Sequence, residues 1–482
     1  MAYRHGIYIT ESPTPILPPI EVDSSLPVAF GVAPVHKLEN PSSAVNVPQI
    51  CYSYSEAIQQ LSFSNDWANF TLSEVIFSQF RVHGVAPLVT VNVWDPFRSA
   101  QDVLITDFVL NRNIGTITDD MAMISTVSVE YNGQKTARNE DYNLFYDQSG
   151  LVIMAMVGGL LDGVTDGVLV SYKRAVVDVT KDDIIGGFDV NTAQRTGIEL
   201  ADEVYLRWSK NPAFLLAPGF SDDPEVATVL IAKAKNLNSG NFRCMAALDL
   251  PADNTLSLYS NTPEWKRLNS YIDSHAFAGW PCVAIGERVF HASTRLVGLH
   301  GETDGRNNGR PHVPASNKLL SMTKMCLSDG TELPLLDQGQ ANLLNANGIV
   351  TFINRDGWRA WGGETTLFPT ESDVKDTEIH IRRTFCWIQN EVNRTIWQKI
   401  DSPVTRVLID RILLTINQRF NVLVAEGVLL GGRIEFLRAD NEKSALLSGR
   451  LFFRVFIAPP TRAKEIVFDF QYDPDYLTTL FN

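Results

Sequence analysis

Cysteine is scarce and scattered in this chain of 482 residues. The five cysteines (Cys51, Cys244, Cys282, Cys326 and Cys386) form no CxxC pair and are odd in number. That excludes a disulfide framework or a thiolate zinc site and leaves buried, reduced thiols as the expectation. Long apolar runs are also missing. The longest, LVIMAMVGGLL at 151–161, stops at Asp162 and is too short to cross a bilayer. The first residues lack the charged-then-apolar pattern of a secretory leader, so a chain made and folded in the cytoplasm is expected. Basic charge is in deficit, with a net charge of −14. That argues against nucleic acid as a direct partner, because phosphate binding needs a basic surface. The signatures of common chemistry are absent as well: no GxxxxGK[ST], HExxH, GxSxG or calcium-loop pattern occurs.

What is present is an ordinary globular composition, 45% hydrophobic and 20% charged, with length enough for several domains. The charge is uneven. Residues 378–482 carry 14 Lys and Arg against 12 Asp and Glu, whereas the rest carries 27 against 43. An acidic partner is therefore expected at the C-terminal quarter.

The two ends are the most unusual stretches. Ile7 and Ile9 alternate with Tyr8 and Thr10, which reads as a short strand. Pro13, Pro15, Pro18 and Pro19 follow and prevent a hairpin return, since proline fixes φ and lacks an N–H. At the other end, Ile466, Phe468 and Phe470 alternate with Val467 and Asp469 as a second terminal strand. Such strands expose unpaired donors and acceptors and call for a partner.

Between these arms (1–24 and 464–482) the pattern divides. Residues 25–100 read strand, helix, helix, strand, with Ser53 and Glu56 spaced as a capping box. Residues 101–180 read as a small antiparallel β-domain inserted in the chain, with Asn132-Gly133 as a tight hairpin turn. Residues 181–375 alternate strands and helices, as in a parallel sheet, with a helix expected over 192–208 and a polar, Gly-rich loop over 300–317. Residues 376–463 begin with a strand that turns helical from Thr384. A second helix follows over about 403–425, with Gly427 past its end. The fold class expected is thus multidomain α/β plus β, closed by an α+β unit and extended arms.

Candidate chemistry is thin. His291, His300 and His312 bracket the 300–317 loop with Glu302 and Asp304, but fit no metal template, so no cofactor or metal is expected. Asp249, at the end of a strand, reads either as an active-edge carboxylate of an α/β hydrolase or as a helix-cap or turn carboxylate. Arg383, Arg394 and Lys399 lie along the 377–400 unit, either as a solvated face or as a basic helix that docks an acidic surface.

The ordered fragments YRHGIYITESP, VDSSLPVAFGVAP, RTGIELADE, NPAFLLAPGFS and ALDLP are followed by RPHVPASN, LLNANGIVTF and WGGETT. Then come IHIRRTFCWIQNEV, EGVLLGGRIEF and RLFFRVFIAPPTRAKEIVFDF. Together they resemble the contractile tail sheath proteins of bacteriophages and related injection machines, over nearly the whole chain. The resemblance implies a β-sandwich-like insert, a subtilisin-like α/β domain without protease function, and a C-terminal domain facing a tail tube. It also implies a non-enzymatic subunit of a helical sheath in the virion tail, assembled in the host cytoplasm. Its partners would be other copies of itself, the tube protein, and baseplate and terminator proteins, with no membrane insertion. In such sheaths the arms add strands to neighbouring subunits, which makes Ile7–Thr10 and Ile466–Phe470 the expected subunit interface. Arg383, Arg394 and Lys399 become the expected tube-facing residues.

Overall fold

A computed structural model describes residues 24–147 and 149–481. Its centre is an eight-stranded sheet built from β1 (Pro27–Gly31), β2 (Gln49–Cys51), β3 (Leu88–Asn92) and β4 (Phe214–Leu216), continued by β5 (Met245–Asp249), β6 (Ala276–Gly279), β7 (Ile349–Asn354) and β8 (Trp358–Trp361). The spatial order is β2-β3-β1-β4-β5-β6-β7-β8. The six inner strands are parallel, and β2 and β8 close the edges antiparallel. β1, β3, β4, β5 and β6 are buried at every residue. They therefore read as continuous apolar runs rather than alternations, as strands covered on both faces must.

Helices α1 (Thr71–Phe77), α2 (Pro224–Lys235) and α3 (Ala292–Arg306) cover the sheet. The capping expected at Ser53 is present: its side chain accepts from the Glu56 N–H, opening the helix Tyr54–Leu61. Gly31 sets how closely α1 approaches the sheet. A Cβ there would lie 2.3 Å from Thr71 Oγ1.

Between Gln101 and Arg174 the chain builds two antiparallel sheets, one of four strands and one of three. They enclose a separate apolar cluster that includes Phe108, Tyr142, Leu151, Ile153 and Val170. Asn132 and Gly133 both have positive φ, 48° and 76°, as the tight hairpin turn requires. Beyond Val374–Thr377, two long helices, α4 (Ile379–Ile396) and α5 (Arg406–Ala425), carry a third cluster.

Three expectations need correction. First, residues 379–384 are helix, not strand. Every side chain from Ile379 to Thr384 is buried, including His380, Arg382 and Arg383. A helix packed on all sides has lost the polar face that a 3.6-residue period would reveal. Second, the helix placed over 192–208 begins only at Ala201. Gln194–Thr196 instead pairs with Gly187–Asp189, and Gly197 at φ 58° separates the ribbon from the helix. Third, the front of the expected 300–317 loop is the last part of α3. Its glycines serve packing: a Cβ on Gly298 would meet His83 at 2.3 Å, and one on Gly301 would meet Val85 at 2.9 Å. Residues 464–473, expected as a strand that another subunit completes, pair with no strand among the described residues.

Gly31→Ala forces Thr71 or α1 to move, and overpacking of this kind costs about 1–3 kcal/mol. A lowered midpoint in thermal or urea unfolding is expected. An unchanged midpoint would show that the α1–β1 approach is looser than described.

Candidate assembly surfaces

The C-terminal unit is anchored on α5. Thr405 caps it, accepting from the Leu408 N–H at 3.2 Å, and Ile409, Ile412, Ile416, Phe420 and Leu423 form its buried stripe. Gly427 ends it at φ 77°. The Arg419–Glu391 ion pair, 2.6 Å between Nε and Oε1 and buried, ties α5 to α4. On this platform lies a two-stranded antiparallel ribbon, Gly431–Glu435 with Arg454–Ala458. Gly432 sits so close to Phe420 that a Cβ would lie 3.0 Å from its ring. Among the described residues neither strand of the ribbon pairs with a third. Two-stranded ribbons are marginal alone; the Ile434 N–H is taken by Asn417 Oδ1 of α5 at 3.1 Å, and the Arg454–Ala458 edge pairs with no further strand among the described residues. Leu430, Phe452, Val455 and Phe456 around it are exposed.

The chain leaves the ribbon through Pro459 and Pro460 and is then gripped by charge. Arg462 pairs with Glu364 and, at 2.8 Å, with Glu378; Lys464 pairs with Glu378 and, at 3.2 Å, with Glu364. Both carboxylates are buried. Burial raises the Glu378 pKa, and the two cations work against that rise. Beyond this grip the chain is exposed. Ile466, Val467, Phe468 and Phe470 are 70–92% exposed and Asp469 is also exposed. Nothing in local spacing signals the grip, since Glu364 and Arg462 are 98 residues apart.

The other expected site residues fall as follows. Ile7, Tyr8, Ile9 and Thr10 lie outside the described residues. Arg383 does not present its charge to any surface. It is buried, its guanidinium binds Asp304 with Nη1–Oδ1 at 3.2 Å, and it stacks 4.5 Å from the Phe214 ring centroid. The reason is again the all-round burial of this part of α4. Arg394 is partly buried against Tyr205, 5.8 Å from the ring centroid, and Lys399 is partly buried in the turn after α4.

Asp249 and His291 do share the C-terminal edge of the sheet. Asp249 accepts from the Ser293 N–H at 2.7 Å, from Ser293 Oγ at 2.6 Å and from Ser221 Oγ at 3.0 Å. It thereby caps the start of α3, which is the role of a cap carboxylate. His291 Nδ1 faces Glu74 Oε2 at 2.8 Å. Burial opposes its charge, but Glu74, with Asp249 and Asp222, outweighs burial and holds the pKa up to about 10. An imidazole that keeps its proton at neutral pH is no general base. His300 stands apart between Phe214 and Phe277, and burial with Arg383 alongside keeps it neutral. His312, beyond α3, is held below its ordinary pKa by partial burial and by Arg310. The histidines therefore do not converge on Asp249, and the hydrolase alternative is not supported.

No protein-family profile matches the chain. Individual proteins do. The chain is 25% identical to the tail sheath protein of Burkholderia phage BcepMu, covering 99% of this chain and 98% of that protein. It is 24% identical to the tail sheath protein of Escherichia phage P2, covering 79% and 90%. The chain is similar to tail sheath proteins over most of its length. Its fold agrees. The sheath of an extracellular contractile injection system, solved in its contracted state, matches with a TM-score of 0.59 at 12% identity over 99% of both chains. The contracted helical sheath of the anti-feeding prophage matches with a TM-score of 0.58 at 13% identity, over 98% of this chain and all of that one.

The His291–Glu74 pair predicts a pH signature. His291 binds its proton more tightly folded than unfolded, so its contribution is complete below its ordinary pKa of about 6.5 and is lost as pH rises towards about 10. The difference in melting temperature between the parent chain and His291→Gln is expected to shrink across that window. A constant difference would contradict the pairing.

Proposed function

We propose that this chain is the structural subunit of a contractile tail sheath. It polymerises helically around a tail tube and contracts to drive the tube through a target cell envelope. The observation that carries this reading is one open ribbon, Gly431–Glu435 with Arg454–Ala458, continuing directly into an exposed apolar arm. A ribbon that lacks a third strand among the described residues is a ready acceptor for an added one. Main-chain bonds supply the linkage and alternating side chains the register. Residues 1–24 and 464–482 are the donors on this reading, through Ile7–Thr10 and Ile466–Phe470. Contacts that do not close on themselves then give helical order.

The same reading assigns residues 25–100 and 181–375 to a subtilisin-like α/β body without catalytic function and residues 101–180 to an inserted β-sandwich-like domain. Residues 376–463 form the tube-side unit. The sheath stands in the virion tail, is assembled in the host cytoplasm, and meets the tube, baseplate and terminator proteins. Of the three basic residues first considered for the tube, Arg394 and Lys399 remain.

Removing residues 1–20, or residues 465–482, is expected to leave a folded monomer by circular dichroism that no longer forms tubes in negative-stain images. Normal tubes from either truncated chain would refute the arm assignment. Charge reversal at Arg394 or Lys399 is expected to weaken sheath–tube attachment roughly two- to fivefold per charge, matching about 0.5–1 kcal/mol for an exposed ion pair. The effect should fade at high salt. Unchanged co-assembly at low salt would place the tube contact elsewhere.

A further inference from the structure

The roots of both proposed arms reach the same turn of the same helix. Ser24 is where residues 1–24 join the body. Its carbonyl accepts from Arg383 Nη2 at 3.0 Å, and its hydroxyl donates to Gly309 O at 2.8 Å and reaches Asp304 Oδ2 at 3.1 Å. Asp304 is the buried partner of Arg383. Pro460 opens the C-terminal arm, and its carbonyl lies 3.1 Å from His380 Nε2. A carbonyl only accepts, so Nε2 carries the proton. Burial lowers the His380 pKa to about 4, which keeps the ring neutral in that tautomer.

His380 and Arg383 are three residues apart at the start of α4 and therefore share one face. Glu378, whose carbonyl accepts the Arg382 N–H at 2.9 Å, stands at the cap of the same helix and grips Arg462 and Lys464. A single turn thus holds the backbone carbonyl at each root, together with the cations of one arm.

We infer that the N-terminal end of α4 is one anchor shared by both arms, so that loosening the root of one loosens the root of the other. The turn is packed on every side, and a close-packed turn moves as a unit. Displacing it far enough to release Pro460 withdraws the Arg383 fork from Ser24. In a sheath, a pull on one arm passes to the other through this turn rather than through the whole body. That use rests on the arm reading above, but the coupling is a property of the single chain and is tested in it.

The test is hydrogen exchange, read by mass spectrometry on the unassembled full chain. Arg462→Gln with Lys464→Gln releases the C-terminal root. Exchange is expected to quicken on the order of tenfold over residues 454–458, the ribbon strand that runs into the C-terminal root, and comparably over 24–30, as for loss of one charge-assisted hydrogen bond. Arg383→Lys, which keeps the charge and loses the fork, is expected to do the reverse, quickening 454–458 from the N-terminal side. By linkage the two effects should match. Quickening confined to the substituted root would overturn the inference. If β5 quickens by the same factor, the loosening is global, and Arg462→Lys alone takes the place of the double variant with the same two outcomes. Tube formation by truncated chains bears on the arm reading and leaves this result untouched.

Discussion

Two buried carboxylates govern how this chain ends. Glu364 and Glu378 lie side by side, joined by a backbone bridge, in a place where isolated charge is costly. Arg462 and Lys464 neutralise them. The C-terminal segment cannot leave this path without stranding two anions in the interior. Its route is therefore fixed as far as Lys464 and left open beyond it. Everything distinctive about the C-terminal unit follows from that boundary between a gripped root and an ungripped arm.

Beyond the boundary the chain carries apolar side chains that the other described residues do not cover, and before it lies a ribbon that pairs with no third strand among them. Either feature alone would be a liability. On the sheath reading proposed above they are complementary: one offers a strand, the other an edge. The α/β body supplies the rigidity. Its parallel strands are covered on both faces, and the buried serine, aspartate and histidine at its C-terminal edge are spent internally. Asp249 caps α3, and His291 is locked to Glu74. A site that resembles hydrolase chemistry by residue type is, by geometry, a brace.

Much of this was legible in the sequence. The Asn132-Gly133 turn, the Ser53 cap and Gly427 past α5 are local signals, and local signals survive in any fold. The misreadings came where tertiary contact overrides local pattern. Ile379 to Arg382 alternates apolar and polar like a strand, although all faces of that helical turn are buried. Gly301 looks like a loop glycine because close helix packing uses the same residue. Arg383 looks like surface charge because its partner, Asp304, is 79 residues away. The Arg462–Glu364 grip spans still more of the chain and left no trace in spacing. Order along the chain, rather than any single motif, carried the sheath resemblance, and relatives aligned over its full length bear that out.

The central claim is that the open ribbon is completed by strands from other subunits. The direct measurement is a cryo-electron microscopy map of the assembled sheath at a resolution that separates strands. The account predicts added strands along the free edges of Gly431–Glu435 and Arg454–Ala458, at least one of them traced to residues 464–473 of another subunit. A ribbon that stays two-stranded in the assembly, with residues 464–473 folded back on their own body, would contradict it.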